Sequence, residues 1–278
     1  MLDSETGLTI LGTAIGGAKV VEKLLGPTAD YLGGELKEVS KKAATNLSNI
    51  FKNFQQKVGE EINKPGAVPP RVLKGILTEG PWCEEELQVE YFGGVLASSR
   101  SGISRDDRGA YFTSLISRLS TYQLRTHYIL YQALKKTFDG VNTNQGHSRY
   151  LKQLEIFIPL QTYIESMDFI EEEIETVPRL ISHAFWGLVN ENLISSYFFG
   201  PPGEMNYSFL KDRESYPNCT FIEVTEKGIK VTPSALGFEL MMWAYGHGRI
   251  KDLTYFDVDL EFADNQNLDL QMVSPTRF

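Results

Sequence analysis

Ile229-Lys230-Val231-Thr232-Pro233-Ser234-Ala235-Leu236-Gly237-Phe238-Glu239-Leu240 is the stretch on which the fold turns. Its first four residues alternate apolar and polar, the period of a strand with one face buried. Pro233 suits a first helical position, where its missing N–H would have no partner anyway. Ala235, Leu236, Phe238, Leu240, Met241 and Trp243 supply the apolar side of the helix after it. Upstream, Phe221-Ile222-Glu223-Val224 reads as a second strand, and the four-residue connection ending in Gly228 closes a β-hairpin. Further back, Gly200-Pro201-Pro202-Gly203 is a turn. Val177-Pro178 opens a helix through Leu180, Ile181, Ala184, Phe185, Leu188, Leu193 and Ile194. Residues Leu154 to Met167 mix apolar runs with Pro159 and fit neither period. A loop from Gly140 to His147 precedes them, and Ser120-Thr121-Tyr122-Gln123 caps a helix reaching about Phe138.

The first half has a different grammar. The opening Met1–Gly26 places Gly7, Gly12, Gly16 and Gly17 among Leu8, Ile10, Leu11, Ile15, Val20 and Val21. Its early charges, Asp3 and Glu5, are acidic, unlike those of a secretory signal. The uncharged run Thr6–Ala18 is shorter than the roughly 20 residues of a spanning helix. Gly12 and Gly16, four apart with Ile15 beside them, would share one helix face and admit a close neighbour. A second helix, Leu36–Val58, carries Leu36, Val39, Ala43, Leu47, Ile50, Phe51, Phe54 and Val58 as one stripe. Lys37, Lys41, Lys42, Lys52 and Lys57 are assigned to its other side, a pattern shared by solvated helices and by helices on anionic lipid. Asn63-Lys64-Pro65-Gly66-Ala67-Val68-Pro69-Pro70 breaks the run. Three helices follow: Arg71–Glu79, Glu84–Ser99, and one starting near Arg108 with Tyr111, Phe112, Leu115, Ile116 and Leu119.

The order helix, helix, hairpin, helix in the second half resembles winged-helix architecture. With it, Val68-Pro69-Pro70-Arg71-Val72-Leu73-Lys74-Gly75-Ile76-Leu77-Thr78-Glu79, then Glu85-Glu86-Leu87-Gln88 and Gly94-Val95-Leu96-Ala97-Ser98-Ser99, is similar to the Abi-alpha family. That bacterial family is associated with abortive infection, a phage-defence strategy. The similarity covers roughly residues 65 to 245, and Val95-Leu96 stands where a typical member has a Leu-Leu pair. Its motifs are structural, so the resemblance implies a defence role and no catalytic residues.

Chemistry is sparse. The histidines, His127, His147, His183 and His247, are dispersed without the i+3 or i+4 spacing of zinc ligands. Cys83 precedes Glu84, Glu85 and Glu86, which disfavour a thiolate, and Cys219 lies in a turn. No phosphate-binding glycine loop or nucleophile elbow is present. Phe256-Asp257-Val258-Asp259-Leu260-Glu261-Phe262 alternates as a strand with three carboxylates on one side, which would suit a divalent cation only with a base nearby. Lys+Arg 27 against Asp+Glu 36 gives a net charge of -9. Basic and acidic side chains nearly balance over residues 1–80, so the acid excess falls on the rest of the chain. The helix from Pro178 to Ile194 offers Arg179 and His183 against Glu191, too few cations for a groove reader.

The expectation is a mainly α protein in four parts: a glycine-rich and amphipathic helical arm (1–64), a helical Abi-alpha-like module (65–120), a winged-helix-like domain with a small hairpin (121–250), and an acidic strand and tail (251–278). The expected function is a non-enzymatic abortive-infection protein acting as a sensor or interaction platform, without catalytic, metal or cofactor sites. Gly12, Ile15, Gly16, Lys37, Lys41, Lys42 and Lys52 would form its self-association or membrane arm. Expected partners are further copies of itself, a phage-derived protein trigger or companion defence protein, and an anionic membrane surface. Nucleic acid is disfavoured. The expected location is the cytoplasm, peripheral at the inner membrane. The alternatives are a winged-helix DNA-binding regulator and a metal-dependent hydrolase on the terminal strand.

Overall fold

The three- and four-residue recurrence around Leu47 becomes helix α1, Lys41–Val58, with Ala43, Leu47, Ile50, Phe51, Phe54 and Val58 buried. Lys42, Thr45, Asn49, Lys52 and Gln56 line its exposed side. The computed structural model describes residues 41–101, 103, 105–138, 151, 154–215, 223–249 and 276–277. Nine α-helices and a small antiparallel sheet are found among them. They fall into two compact units, one holding residues 41–121 and 242–249, the other 122–241 and 276–277.

The first unit is helical. After α1 come a 3-10 turn (Gly59–Asn63), α2 (Pro70–Glu79), α3 (Glu86–Ser99) and α4 (Gly109–Arg118). Pro70 begins α2 where no N–H is needed. In α3 every residue from Val89 to Ser99 is buried, as befits a helix at the centre of a unit. Gly94 makes that position tenable, since a Cβ there would lie 1.6 Å from the Ala244 carbonyl oxygen. Arg100 donates to the carbonyls of Glu61, Ile62 and Lys64 at 3.0, 3.3 and 2.6 Å, satisfying the end of the 3-10 turn. Ala67 and Ser101 exchange backbone hydrogen bonds of 2.9 and 3.1 Å. The helices on both sides of the Asn63–Pro70 segment thus belong to one unit.

Lys57 departs from the expected solvated face. Its side chain is 4 % exposed and pairs at 2.9 Å with the fully buried Glu90, 6.0 Å from the Tyr245 ring centroid. A long apolar stem lets lysine lie in a core when a carboxylate meets its head.

The second unit begins with α5 (Thr121–Thr137), followed by β1 (Ile156–Pro159), α6 (Leu160–Met167), a 3-10 turn (Glu171–Thr176), α7 (Val177–Asn190), β2 (Ile194–Gly200), α8 (Pro202–Ser215), β3 (Gly228–Pro233) and α9 (Ala235–Ala244). From Met242 the chain is part of the first unit. The sheet order is β2-β3-β1, extended beyond β1 by the two-residue β4 (Thr276–Arg277). β3 is central and antiparallel to both neighbours, with Val231 opposite Ile156 on one side and Tyr197 on the other. Both of its faces are buried, and Lys230 and Thr232 on one of them are met by Glu155 and Ser208.

Several local expectations change. Phe221-Ile222-Glu223-Val224 is not the partner of β3: Glu223 and Val224 are outside any strand, and Phe221 and Ile222 lie outside the described residues. Val224 instead exchanges two 2.9 Å backbone bonds with the Asn206 amide on α8. The strands β3 does pair with are β1, from the stretch that fitted neither period, and β2. Pro233 ends β3 rather than opening α9. Ser234 is the cap, accepting the Gly237 N–H at 2.9 Å. Leu193 and Ile194 are not helical, because Asn192 takes φ 56. Asn192 N–H bonds Val189 O and Leu193 N–H bonds Leu188 O at 2.9 and 2.8 Å, a Schellman ending. The Gly200–Gly203 turn is the entry to α8, which starts at Pro202. The acidic strand Phe256–Phe262 lies outside the described residues.

Candidate functional site

The polar groups inside each unit serve the fold. His127 is fully buried, donates from Nε2 to the Gly237 carbonyl at 3.0 Å, and burial pushes its pKa down to about 3. It is therefore a neutral donor at ordinary pH. Tyr131 donates to Leu193 O at 2.5 Å and accepts from Ser234 N–H at 3.1 Å, and burial raises its pKa. Lys230 lies 3.3 Å from Glu155 and donates to Ser208 at 2.7 Å, while Thr232 donates to Glu155 at 2.7 Å. A serine beside a lysine invites a nucleophilic reading, but Lys230 is held in an ion pair with Glu155 and donates to Ser208, so it is not placed to take a proton from that hydroxyl. Cys83 is buried and desolvation raises its thiol to about 12, so it is no nucleophile. Among the described residues no group of His, Cys, Asp or Glu could hold a metal ion.

The outer surface of the second unit is more informative. Ile170 opens the 3-10 turn; its N–H donates to Glu173 Oε2 at 2.9 Å and its carbonyl accepts from Glu173 N–H at 3.0 Å. Tyr122 holds the other Glu173 oxygen. Thr176 donates to Glu173 O at 2.8 Å. With Glu173 drawn inward, Glu171, Glu172 and Glu175 are left exposed around Ile170 and Ile174, which are 59 % and 62 % exposed. The carboxylates lie in the turn before α7, whose own first turn holds no acid. Solvent exposure is ordinary for the acids and leaves the isoleucines unexplained.

α7 buries Ala184, Phe185 and Leu188. Its outer side shows Arg179, Ser182, His183, Trp186 and Asn190, with Trp186 67 % exposed. Gly187 accommodates Gln123, whose Nε2 would be 1.8 Å from a Cβ there.

Of the residues expected in the arm, Gly12, Ile15, Gly16 and Lys37 lie outside the described residues. Lys41 is the first residue of α1, and Lys42 and Lys52 sit on its exposed side. Cys219, His147, Asp257, Asp259 and Glu261 also lie outside the described residues. No helix among those described is long and apolar enough to cross a membrane. Ile170, Ile174 and Trp186 escaped the sequence reading. Their signal was the Ile-Glu-Glu-Glu-Ile-Glu run, which fits no buried face, and a tryptophan one place off the apolar stripe. Comparison of the chain with family models, curated proteins and solved structures finds no match.

Proposed function

We propose that the chain is a non-enzymatic abortive-infection protein of Abi-alpha type whose second unit is a winged-helix-like platform for protein contacts. The observation that carries the platform reading is the exposed apolar surface of this stretch: Ile170 and Ile174 stand out among Glu171, Glu172 and Glu175 in the turn before α7, and Trp186 is exposed on α7 itself. The winged-helix reading is supported by the order α5, β1, α6, α7, β2, β3 and by the sheet order β2-β3-β1. A winged helix places its helix-turn-helix beside such a sheet, and α8 sits within the wing. The defence role is supported by the Val68–Glu79 and Gly94–Ser99 phrases. Assembly belongs, on this reading, to the N-terminal arm, with Gly12, Ile15 and Gly16 as the close-contact positions.

Two measurements test the reading. Phage plating and survival of infected cells are compared for bacteria expressing the chain or an empty vector. Reduced plating with loss of infected cells is expected, and equal plating overturns the defence role. Sedimentation of wild type and of Gly12→Leu/Gly16→Leu tests the arm: the variant should lose oligomer while the body stays folded, and unchanged size overturns it.

The DNA-reader alternative draws on Arg179 and His183 on the outer side of α7. Three exposed carboxylates in the turn before that helix oppose it, since phosphate contacts supply much of any grip on DNA.

A further inference from the structure

We infer that the segment Ile170–Glu175 docks a basic amphipathic segment of a partner protein. Such a segment would set aliphatic anchors against Ile170 and Ile174 and lysine or arginine side chains against Glu171, Glu172 and Glu175. This deepens the platform reading and rests on it.

Three observations carry the inference. First, Ile170 and Ile174 expose 59 % and 62 % of their surface in a single turn of chain. Covering that surface removes apolar area from water, which is the main driving force of association. Second, the turn is already rigid. Glu173 bonds both the Ile170 N–H and Tyr122, and Thr176 bonds the Glu173 carbonyl. A preformed turn loses little freedom on binding. Third, the charge selects the occupant. Glu171, Glu172 and Glu175 are exposed around the isoleucines, so a cationic rim is complementary and an anionic one is repelled. That disfavours the phosphates of DNA and the headgroups of anionic lipid, and it favours a partner segment carrying Lys or Arg beside Leu, Ile or Val.

The test uses the full chain and a fluorescent peptide of leucine and lysine in helical spacing, read by anisotropy. Controls are the same peptide with glutamate for lysine, and a DNA duplex. Wild type should bind the lysine peptide, more weakly as salt is raised. Ile170→Ser/Ile174→Ser should weaken binding about tenfold. Glu171→Lys/Glu172→Lys/Glu175→Lys should abolish it and create binding to the glutamate peptide. Because the whole chain is acidic, Glu84→Lys/Glu86→Lys, two exposed positions in the first unit, is the comparison that must leave affinity unchanged. Equal binding by the serine variant, an equal loss in the Glu84/Glu86 variant, or tighter binding of wild type to DNA overturns the inference. All of these are surface substitutions, and unchanged thermal unfolding confirms that each variant is folded. The peptide readout involves no phage, so binding without protection in the plating assay indicts the defence role alone. Protection without site-specific binding indicts the docking site alone.

Discussion

At the scale of single residues, the buried polar groups set the clearest expectations. His127 is neutral in the fold, with a pKa of about 3 against an ordinary 6.5. Between those values the unfolded chain binds a proton that the folded chain does not, so stability rises with pH there. The contribution is complete above pH 6.5 and is lost as the pH falls toward 3, about 4–5 kcal/mol in all. Urea unfolding of wild type should therefore lose about 1.4 kcal/mol per pH unit more than His127→Gln below pH 6.5. Parallel pH profiles for the two proteins would refute the buried neutral imidazole. Lys57 and Glu90 make a second case. Removing one partner leaves a charge in the core and costs about 3–5 kcal/mol, whereas an apolar pair of similar volume is near neutral. Lys57→Met should thus be much less stable than Lys57→Met/Glu90→Leu in thermal unfolding, and the reverse order would mean that the pair is solvated.

At the scale of elements, close approach explains what single substitutions would break. A Cβ on Gly94 would meet backbone atoms of Ala244 at 1.6 and 2.1 Å, and backbone cannot move aside as a flexible side chain can. Gly94→Ala should destabilise by about 3 kcal/mol or more, and a loss under about 1 kcal/mol in urea unfolding would show that the end of α9 is not seated on α3. The same scale separates what the chain announced from what it hid. α1 and α2 were legible because each carries a regular apolar stripe and prolines separate them, whereas α3, buried all round, was legible from its apolar content and its acidic start. β1 was illegible because a four-residue strand buried on both faces shows no alternation. β3 was correctly read as a strand and given the wrong partner, since its pairing of Val231 with the distant Ile156 of β1 leaves no local trace. Ile170 and Ile174 were missed because a surface apolar residue in a 3-10 turn follows no period at all. Energetics also limit what α1 can do. Releasing Leu47, Ile50, Phe51 and Phe54 from the core would cost about 6–12 kcal/mol. Lysines near an anionic surface return about 1 kcal/mol each before screening. Wild type should therefore not sediment with anionic liposomes through α1, and binding abolished by Lys42→Glu/Lys52→Glu would show that the exposed lysines suffice.

At the scale of the whole molecule, the net charge of -9 bears on the choice between the two uses proposed for the second unit. A DNA reader gains affinity by displacing counterions with Lys and Arg, so its binding falls steeply with salt. Here the outer side of α7 supplies Arg179 and His183, and the turn before it supplies Glu171, Glu172 and Glu175. One arginine and one histidine against three carboxylates are a poor anchor for a helix in the major groove, where several phosphate contacts position the base readers. A fluorescent duplex titrated with the full chain at about 0.15 M salt should show no saturable binding at neutral pH. Saturable binding at neutral pH that weakens with salt and disappears with Arg179→Glu would establish α7 as a DNA reader and overturn the protein-contact reading of this surface.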